Sequence, residues 1–314
     1  MIDRRSLLAA AGAAAWTGGA RAAPAPAGDL TGVWTNAWYT WLQRPKAFKA
    51  LVVPPAEAEA YEAPRRAHKG ELIDPVHDVL GQNESEFPDN GPGLARIRGE
   101  IRSSWIVDPA DGRIPWKPEA RTRLHIGRDT EDYDNVEARD TDERCLTNAS
   151  GAAPLVNSHD ANLIQIVQTP GWLAIVGEKD HETRIVEIVG PGLDARRSMA
   201  LGSWTGVSRG HWDGATLVVE TTDLRPGATK ISDDIYLSEH ARVTERFTRT
   251  GPNAIAYQFE VEDPTLFTQV WRGEEVFRTA EGPMYEYACH EGNYSLPGIL
   301  RAARAADGKT AGEK

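Results

Sequence analysis

Residues 240–263, HARVTERFTRTGPNAIAYQFEVED, contain two stretches of alternating polar and apolar side chains, separated by the turn residues GPN at 251–253. Alternation over this length predicts two half-buried β-strands, and the short turn predicts that they form an antiparallel hairpin. Because successive side chains of a strand point to opposite faces, the sequence also assigns each residue to a face. This hairpin therefore decides the fold class and points to the first candidate functional group.

An acidic residue interrupts the apolar face of the first strand. Glu245 shares that face with Val243 and Phe247, while Tyr257 and Phe259 lie on the apolar face of the second strand. A carboxyl group in this setting either pairs with a cation or hydrogen-bond donors, or its pKa rises. A raised pKa suits a general acid or base, and Tyr257 could then steady developing charge. The alternative is a structural glutamate bonded to a tyrosine or an arginine.

The preceding hairpin, GHWDGATLVVETTDL at 210–224, has its turn at Asp213-Gly214. Leu217 and Val219 share its apolar face, whereas Glu220 lies on the more polar face. Antiparallel sheets commonly expose one face to water. Glu220 is therefore predicted to lie outside the sheet, in contrast to Glu245.

Further strands are predicted between Trp172 and Cys289. WLAIVGEK and ETRIVEIV form a hairpin, and FTQVWRG and GPMYEYAC complete an antiparallel meander of about eight strands. This number is typical of sandwiches and small closed barrels. We predict a mainly β fold with one barrel domain over residues 29–300, an N-terminal helical and extended excursion, and a disordered tail at 302–314.

A second group of candidate residues surrounds the turn of the WLAIVGEK hairpin. With Asp180-His181 as a two-residue loop, Lys179 faces Glu182, an ordinary charge pair closing a hairpin. The alternative is a functional cluster of Glu178, His181 and Arg184 at the barrel mouth, in which Glu178 and His181 could share a proton or hold a metal. Because a carboxylate and an imidazole lack a recognisable third ligand here, no metal and no cofactor are predicted.

Aromatic side chains are frequent in the β-rich half of the chain. They could fill the core or line an interior ligand site, since the interior of a small barrel either fills with side chains or holds one small molecule. The candidate ligand-binding residues are Trp172, Trp212, Phe247, Phe259, Trp271, Tyr285 and Tyr287.

The first 22 residues have the order of an export signal. Paired Arg4 and Arg5 precede a short apolar run, and Ala20 and Ala22 supply the small residues of a cleavage site. The pair predicts a twin-arginine signal, with an ordinary export leader as the alternative. We therefore predict a periplasmic or secreted protein that is not membrane-spanning, cleaved after Ala22.

The chain has two cysteines, Cys145 and Cys289. An oxidising compartment favours a disulfide between them. The alternative is a nucleophile and base formed by Cys289 and His290, which adjacent strand positions would point to opposite faces.

Several phrases of the sequence resemble a family of exported bacterial proteins of unknown function that is common in acidobacteria and sphingomonads. These phrases are RCLTNASGAAP, GHWDGATLVVETTDL, SEHARVTERF and VEDPTLFTQVW. His211 and Ala215 depart from the family's usual GRWEGDTLVVET. The resemblance implies one β-rich secreted domain and supplies no chemistry. DLTGVW also resembles the G-x-W that opens lipocalin barrels, which implies a lipocalin-like barrel.

The composition and motifs limit the number of possible functions. The net charge of −11 repels phosphate backbones and argues against nucleic acid as a partner. We predict a protein that binds a small apolar or aromatic molecule inside the barrel. The alternatives are a cofactor-independent lyase, isomerase or hydratase and a structural envelope protein. In the enzyme, Glu245→Gln is predicted to lower turnover without loss of folding.

Overall fold

The computed structural model describes residues 28–67, 91–123, 133, 135–147, 150–158, 162–189, 202–225, 228–232 and 235–312. The predicted signal peptide and its cleavage site lie outside these residues. No helix in the described part of the chain is both long enough and apolar enough to cross a membrane.

The regular secondary structure of the described residues is mainly β-strand, which confirms the predicted fold class. The strands are β1 Gly32–Thr35, β2 Arg96–Ile97, β3 Glu100–Ile101, β4 Ile106–Asp108, β5 Leu163–Thr169, β6 Trp172–Gly177, β7 Thr183–Ile188, β8 Val207–Asp213, β9 Thr216–Thr222, β10 Ala228–Ser232, β11 Ile235–Ser238, β12 Arg242–Gly251, β13 Ala254–Glu262 and β14 Trp271–Thr279. The α-helices are α1 Pro55–Ala67, α2 Pro118–Arg123, α3 Cys289–Gly292 and α4 Ser295–Gly312.

Nine strands close into a barrel in the order β1-β5-β6-β7-β8-β9-β12-β13-β14, and β1 pairs with both β5 and β14. The short strand β4 adds to β14, and β2-β3 and β10-β11 form separate two-stranded sheets. A purely antiparallel meander was the expectation, but β7 and β8 are parallel. The connection between them, residues 189–206, is long enough for the crossover that parallel strands require.

The N-terminal excursion begins and ends at one end of the barrel. Thr35, the last residue of β1, pairs with Leu163, the first residue of β5. Residues 36–162 therefore leave and rejoin the barrel at this end, which we call the excursion end. Helix α1 starts at Pro55, whose fixed φ suits a first helical position. It buries Ala58 in a small satellite core with Tyr39, Phe48, Val53, Leu94 and Ile101.

The C-terminal segment differs from the sequence prediction in two respects. GPMYEYAC, residues 282–289, is not a strand, because β1 already pairs with β14 and closure leaves no free edge there. The tail is helical to Gly312 rather than disordered, consistent with the high helix propensity of its alanines and arginines.

A disulfide joins this C-terminal segment to the loop before β5. The sulfur atoms of Cys145 and Cys289 are 2.02 Å apart, which confirms the predicted pair. Asn293 reinforces the connection, since its side-chain amide donates a hydrogen bond of 2.7 Å to the carbonyl of Glu143.

The register of the central strands confirms the face assignments. Glu245 pairs with Val219 on one side and Phe259 on the other, and all three side chains are buried. Glu220 lies outside, where its half-exposed carboxylate accepts a hydrogen bond of 2.7 Å from Arg242 Nη1. The barrel interior is therefore the main core, and it contains an acidic side chain where the sequence predicts it.

Candidate functional site

A buried ion pair crosses the barrel interior. Arg184 projects from β7 and Glu245 from β12, three strands further round the barrel. Nη2 of Arg184 donates a hydrogen bond of 2.9 Å to Glu245 Oε1, and Nη1 donates to Oε2. The two side chains are 1% and 0% exposed. A structural glutamate bonded to an arginine, the alternative that the sequence left open, is therefore the arrangement found.

Tyr257 completes this group as a third buried residue. Its hydroxyl donates a hydrogen bond of 2.8 Å to Glu245 Oε1 and accepts one of 2.9 Å from the backbone N–H of Leu155. Burial, reinforced by the Glu245 charge, raises the pKa of Tyr257 well above its ordinary value. The hydroxyl therefore remains neutral and acts as a hydrogen-bond donor to the carboxylate.

Two further hydrogen bonds hold Arg184. Nε donates to the carbonyl of Gly151 at 2.9 Å, and Nη1 also donates to Thr221 Oγ1 at 3.2 Å. Burial acts to lower the pKa of Arg184, but the charge and hydrogen bonds of Glu245 outweigh it and raise the pKa. Because Arg184, Glu245 and Tyr257 satisfy one another, this geometry fits a structural network better than a proton-transfer site.

Part of this network holds a buried segment without regular secondary structure. Gly151 through Asn157 are all buried, and we call residues 150–158 the crossing segment. Gly151 contacts Arg184 on β7, whereas Leu155 contacts Tyr257 on β13, four strands away around the barrel. The segment therefore spans the interior from one wall to the other.

Glu182 holds the start of the crossing segment. Its carboxylate accepts hydrogen bonds from the Thr147 hydroxyl and, at 3.2 Å, from the backbone N–H of Gly151. Burial raises the pKa of Glu182, although both hydrogen bonds oppose this shift. Sequence reasoning treated Glu182 only as a surface partner of Lys179, an expectation that the structure does not support.

The Lys179 expectation fails because the turn is longer than predicted. Lys179–His181 form a 3-10 turn, in which Asp180 and His181 have φ of 55° and 52°. Gly177 consequently lies opposite Glu182, so the register is shifted by two residues from a two-residue loop.

The second candidate group is therefore divided between two environments. His181 is exposed, Glu178 accepts a weak hydrogen bond of 3.4 Å from the N–H of Leu163, and Arg184 lies inside the barrel. The three residues do not form one site. In the part of the chain that the structure describes, no group of three or more His, Cys, Asp or Glu side chains could hold a metal ion.

Three of the candidate ligand-binding aromatics meet inside the barrel. Phe247 lies 4.9 Å from Tyr257 between ring centroids, and Tyr257 lies 5.7 Å from Phe259. Phe259 in turn contacts Trp271 edge to face at 5.6 Å, and Phe277 stacks on Tyr257 at 5.1 Å. We call these five residues the aromatic cluster. It is fully buried and packs against itself.

The other four candidate aromatics lie elsewhere. Trp172 is 51% exposed, because it starts β6 on the outer face, and Trp212 is half-buried beside the β8-β9 turn at the opposite end from the excursion. Tyr285 is 72% exposed in the C-terminal segment. Tyr287 lies there too, in a cleft of about 500 Å³ between the C-terminal helices and the 140–143 loop.

Sequence reasoning missed the most unusual interior residue, Glu275. In WRGEEVFRT, residues 271–279, Glu275 shares a face with Trp271, Gly273 and Phe277, so the same alternation that identified Glu245 could have found it. Glu245 is therefore not alone in interrupting the apolar face of a strand.

Glu275 lies within the aromatic cluster. It pairs with Tyr257 across the strands, and on its own strand it lies between Phe277 and Gly273, which the Phe259 ring covers. Glu275 is 1% exposed, and neither carboxyl oxygen has a well-formed hydrogen bond among the described residues. Burial raises its pKa well above the ordinary value, against the weaker effect of the neighbouring Asn36 amide. Burial therefore favours the protonated, uncharged form of this carboxyl.

A second polar atom of the cluster also lacks a partner in the described residues. The indole N–H of Trp271 is buried and donates no hydrogen bond there. Trp271 and Glu275 lie on one face of β14, with Gly273 between them. Apart from the interaction of Glu275 with the Asn36 amide, the aromatic cluster therefore contains two polar groups without a well-formed hydrogen bond in the described chain, both on the same strand.

Comparison of the chain with protein-family models, with curated proteins and with solved structures finds no match. The resemblance to exported bacterial proteins stays a prediction.

Proposed function

We propose that the barrel binds a small, mainly aromatic or apolar molecule at the aromatic cluster, with one polar group of the ligand bonded to Glu275. The observation that carries the proposal is the buried Glu275 carboxyl, which has no well-formed hydrogen bond among the described residues. A buried polar group left unsatisfied costs about 1–3 kcal/mol. Such groups are rare in native proteins and concentrate where a ligand or a reaction uses them.

The chemistry of the cluster defines the ligand. The rings of Phe259, Phe277 and Tyr257, which contact one another in this structure, supply aromatic surface for an apolar ligand. A protonated Glu275 donates one hydrogen bond and accepts others, while the Trp271 indole only donates. The favoured ligand is therefore uncharged, flat and apolar, with a hydroxyl or carbonyl oxygen. A carboxylate ligand would lose its hydration without gaining a cation, since Arg184 is already paired.

Two probes that differ by one hydroxyl test this assignment. We expect the protein to bind 1-naphthol about tenfold more tightly than naphthalene, the difference that one good buried hydrogen bond makes. Glu275→Leu should remove the preference while retaining naphthalene binding. Glu220→Gln is the matched control, because its carboxylate is on the outside. Equal affinity of the wild-type protein for both probes, or no binding of either, would contradict the proposal.

A second candidate function is acid–base catalysis on such a ligand, with Glu275 rather than Glu245 as the acid. The raised pKa of Glu275 supports it, because a general acid must keep its proton near neutral pH. Native mass spectrometry of the purified protein would identify a bound molecule, whose conversion can then be followed. Glu275→Gln should reduce that conversion at least about a hundredfold, and unchanged conversion would exclude the role.

Export of the protein to the periplasm or beyond is also part of the proposal. The disulfide between Cys145 and Cys289 supports it, since such bonds persist in oxidising compartments. N-terminal sequencing of exported protein should begin at Ala23. Mature protein that retains Met1 would contradict export through this leader.

A further inference from the structure

The crossing segment lies in the barrel interior beside the aromatic cluster, where the N–H of Leu155 bonds to the Tyr257 hydroxyl. Its first residues contact Gly177, which pairs with Ile164 beside the Thr35 and Leu163 pair at the excursion end. Asn36, immediately after β1, influences Glu275 from this same end. The crossing segment and the aromatic cluster therefore face each other at the excursion end.

Side chains rather than neighbouring strands hold the crossing segment. Arg184 and Glu182 bind the carbonyl and the N–H of Gly151, and Tyr257 binds the N–H of Leu155. Further along, Asn157 accepts a hydrogen bond of 2.7 Å from the Trp105 indole. Residues 150–158 belong to none of the β-ladders of the described chain. Their departure would leave the barrel's own backbone hydrogen bonds intact.

The approach of the segment to the barrel wall depends on glycine. A Cβ atom at Gly177 would lie 2.5 Å from the backbone carbonyl carbon of Ser150, a distance that real Cβ atoms do not show. A Cβ at Gly151 would lie equally close to the carbonyl oxygen of Glu182. The wall and the segment can therefore meet only because both positions lack side chains.

We infer that the crossing segment is a displaceable closure of the proposed ligand site, so that binding at the aromatic cluster requires it to withdraw. This inference rests on the proposed function. It explains why the interior contains a polar network: Arg184, Tyr257 and Glu182 satisfy backbone groups of the segment in its closed position. If only a fraction of the molecules is open, the apparent dissociation constant exceeds the intrinsic one by the reciprocal of that fraction.

Gly177→Ala should shift the crossing segment from its closed position to its open position. Its methyl group would collide with Ser150 and push the segment away, whereas the matched control Gly251→Ala meets no atom within 4 Å. Hydrogen–deuterium exchange measures opening without any ligand. In the wild type, peptides covering 151–157 should exchange faster than β9 and β12. Gly177→Ala should increase the exchange rate of 151–157 at least about tenfold and leave the exchange of β9 and β12 unchanged. It should also tighten 1-naphthol binding about tenfold.

Glu182→Gln provides a second variant in case Gly177→Ala does not fold. This change weakens the hydrogen bonds that residue 182 accepts from Thr147 and Gly151 without adding volume. It should therefore also increase the exchange rate of 151–157 selectively. Exchange of 151–157 only at the rate of β9 and β12 in all folded variants would overturn the inference. If 151–157 exchange selectively but the protein does not bind 1-naphthol, the segment is displaceable and the proposed ligand site is refuted.

Discussion

Replacing Glu245 by glutamine tests whether the buried ion pair is structural. The substituted side chain would keep the shape of Glu245 but lose the negative charge that faces Arg184. The side-chain amide of the glutamine would also place an N–H donor against the donors of the guanidinium. In the wild type, Oε1 and Oε2 of Glu245 instead accept two hydrogen bonds from it. Arg184 is 1% exposed and would remain charged without a counter-ion at that position. From the structure we therefore expect this change to lower stability, whereas the sequence alone led to the expectation that folding would survive it.

The expected magnitude follows from the burial of the pair. Removing one partner of a fully buried ion pair lowers the free energy of unfolding by about 3–5 kcal/mol. Glu220→Gln breaks the half-exposed pair with Arg242 and should lower it by less than about 1 kcal/mol. Since domains are stable by about 5–15 kcal/mol, the first change should shift the unfolding midpoint strongly and the second hardly at all.

Urea unfolding followed by tryptophan fluorescence measures both changes, because the chain has 10 tryptophans. The double variant Arg184→Met with Glu245→Leu completes the comparison. It should be more stable than Glu245→Gln alone, since no charge is left unpaired in the core. A loss for Glu245→Gln within about 1 kcal/mol of that for Glu220→Gln would refute the structural role of the pair.

Three further changes have defined outcomes. Glu275→Leu should raise the free energy of unfolding by about 1–3 kcal/mol at neutral pH, as measured by urea unfolding, because it removes an unsatisfied carboxyl. Because the pKa of Glu275 is raised in the folded state, its contribution to stability is fully present below the ordinary carboxyl pKa and is lost as pH rises through the folded-state pKa. Above about pH 4.5, the free energy of unfolding of Glu275→Leu should therefore change less with pH than that of the wild type. Reduction of the bond between Cys145 and Cys289 should lower stability by about 2–5 kcal/mol, and two free thiols in denatured, unreduced protein would refute the pairing. Gly273→Ala should lower the free energy of unfolding by about 1–3 kcal/mol, because its methyl group would collide with the Phe259 ring, and an unchanged urea midpoint would show that the ring can move.

The strand periodicity was sufficient to predict much of the barrel wall. Alternation placed Val243, Glu245 and Phe247 inside and Glu220 outside, and the structure agrees. It could also have revealed Glu275, which occupies an equivalent position on its strand. Such predictions succeed because a strand's side-chain direction is a local property that repeats every two residues.

The longer-range features could not be obtained in this way. The turn at Lys179–His181 depends on two residues with left-handed φ and shifted the register by two positions. The parallel pairing of β7 with β8 depends on the length and path of their connection. Period-two alternation is the same for parallel and antiparallel neighbours, so the pattern alone does not distinguish them.

The sequence by itself determined the class of fold, the inner and outer faces of its main hairpins, and the pairing of its two cysteines. Only the tertiary structure decided that Arg184 meets Glu245 across 61 residues, that Tyr257 also binds the crossing segment, and that Glu275 has no well-formed hydrogen bond in the described part of the chain. A carboxylate's partners are set by how a closed barrel brings distant strands together. That closure depends on the register of all nine strands at once, which no local pattern contains.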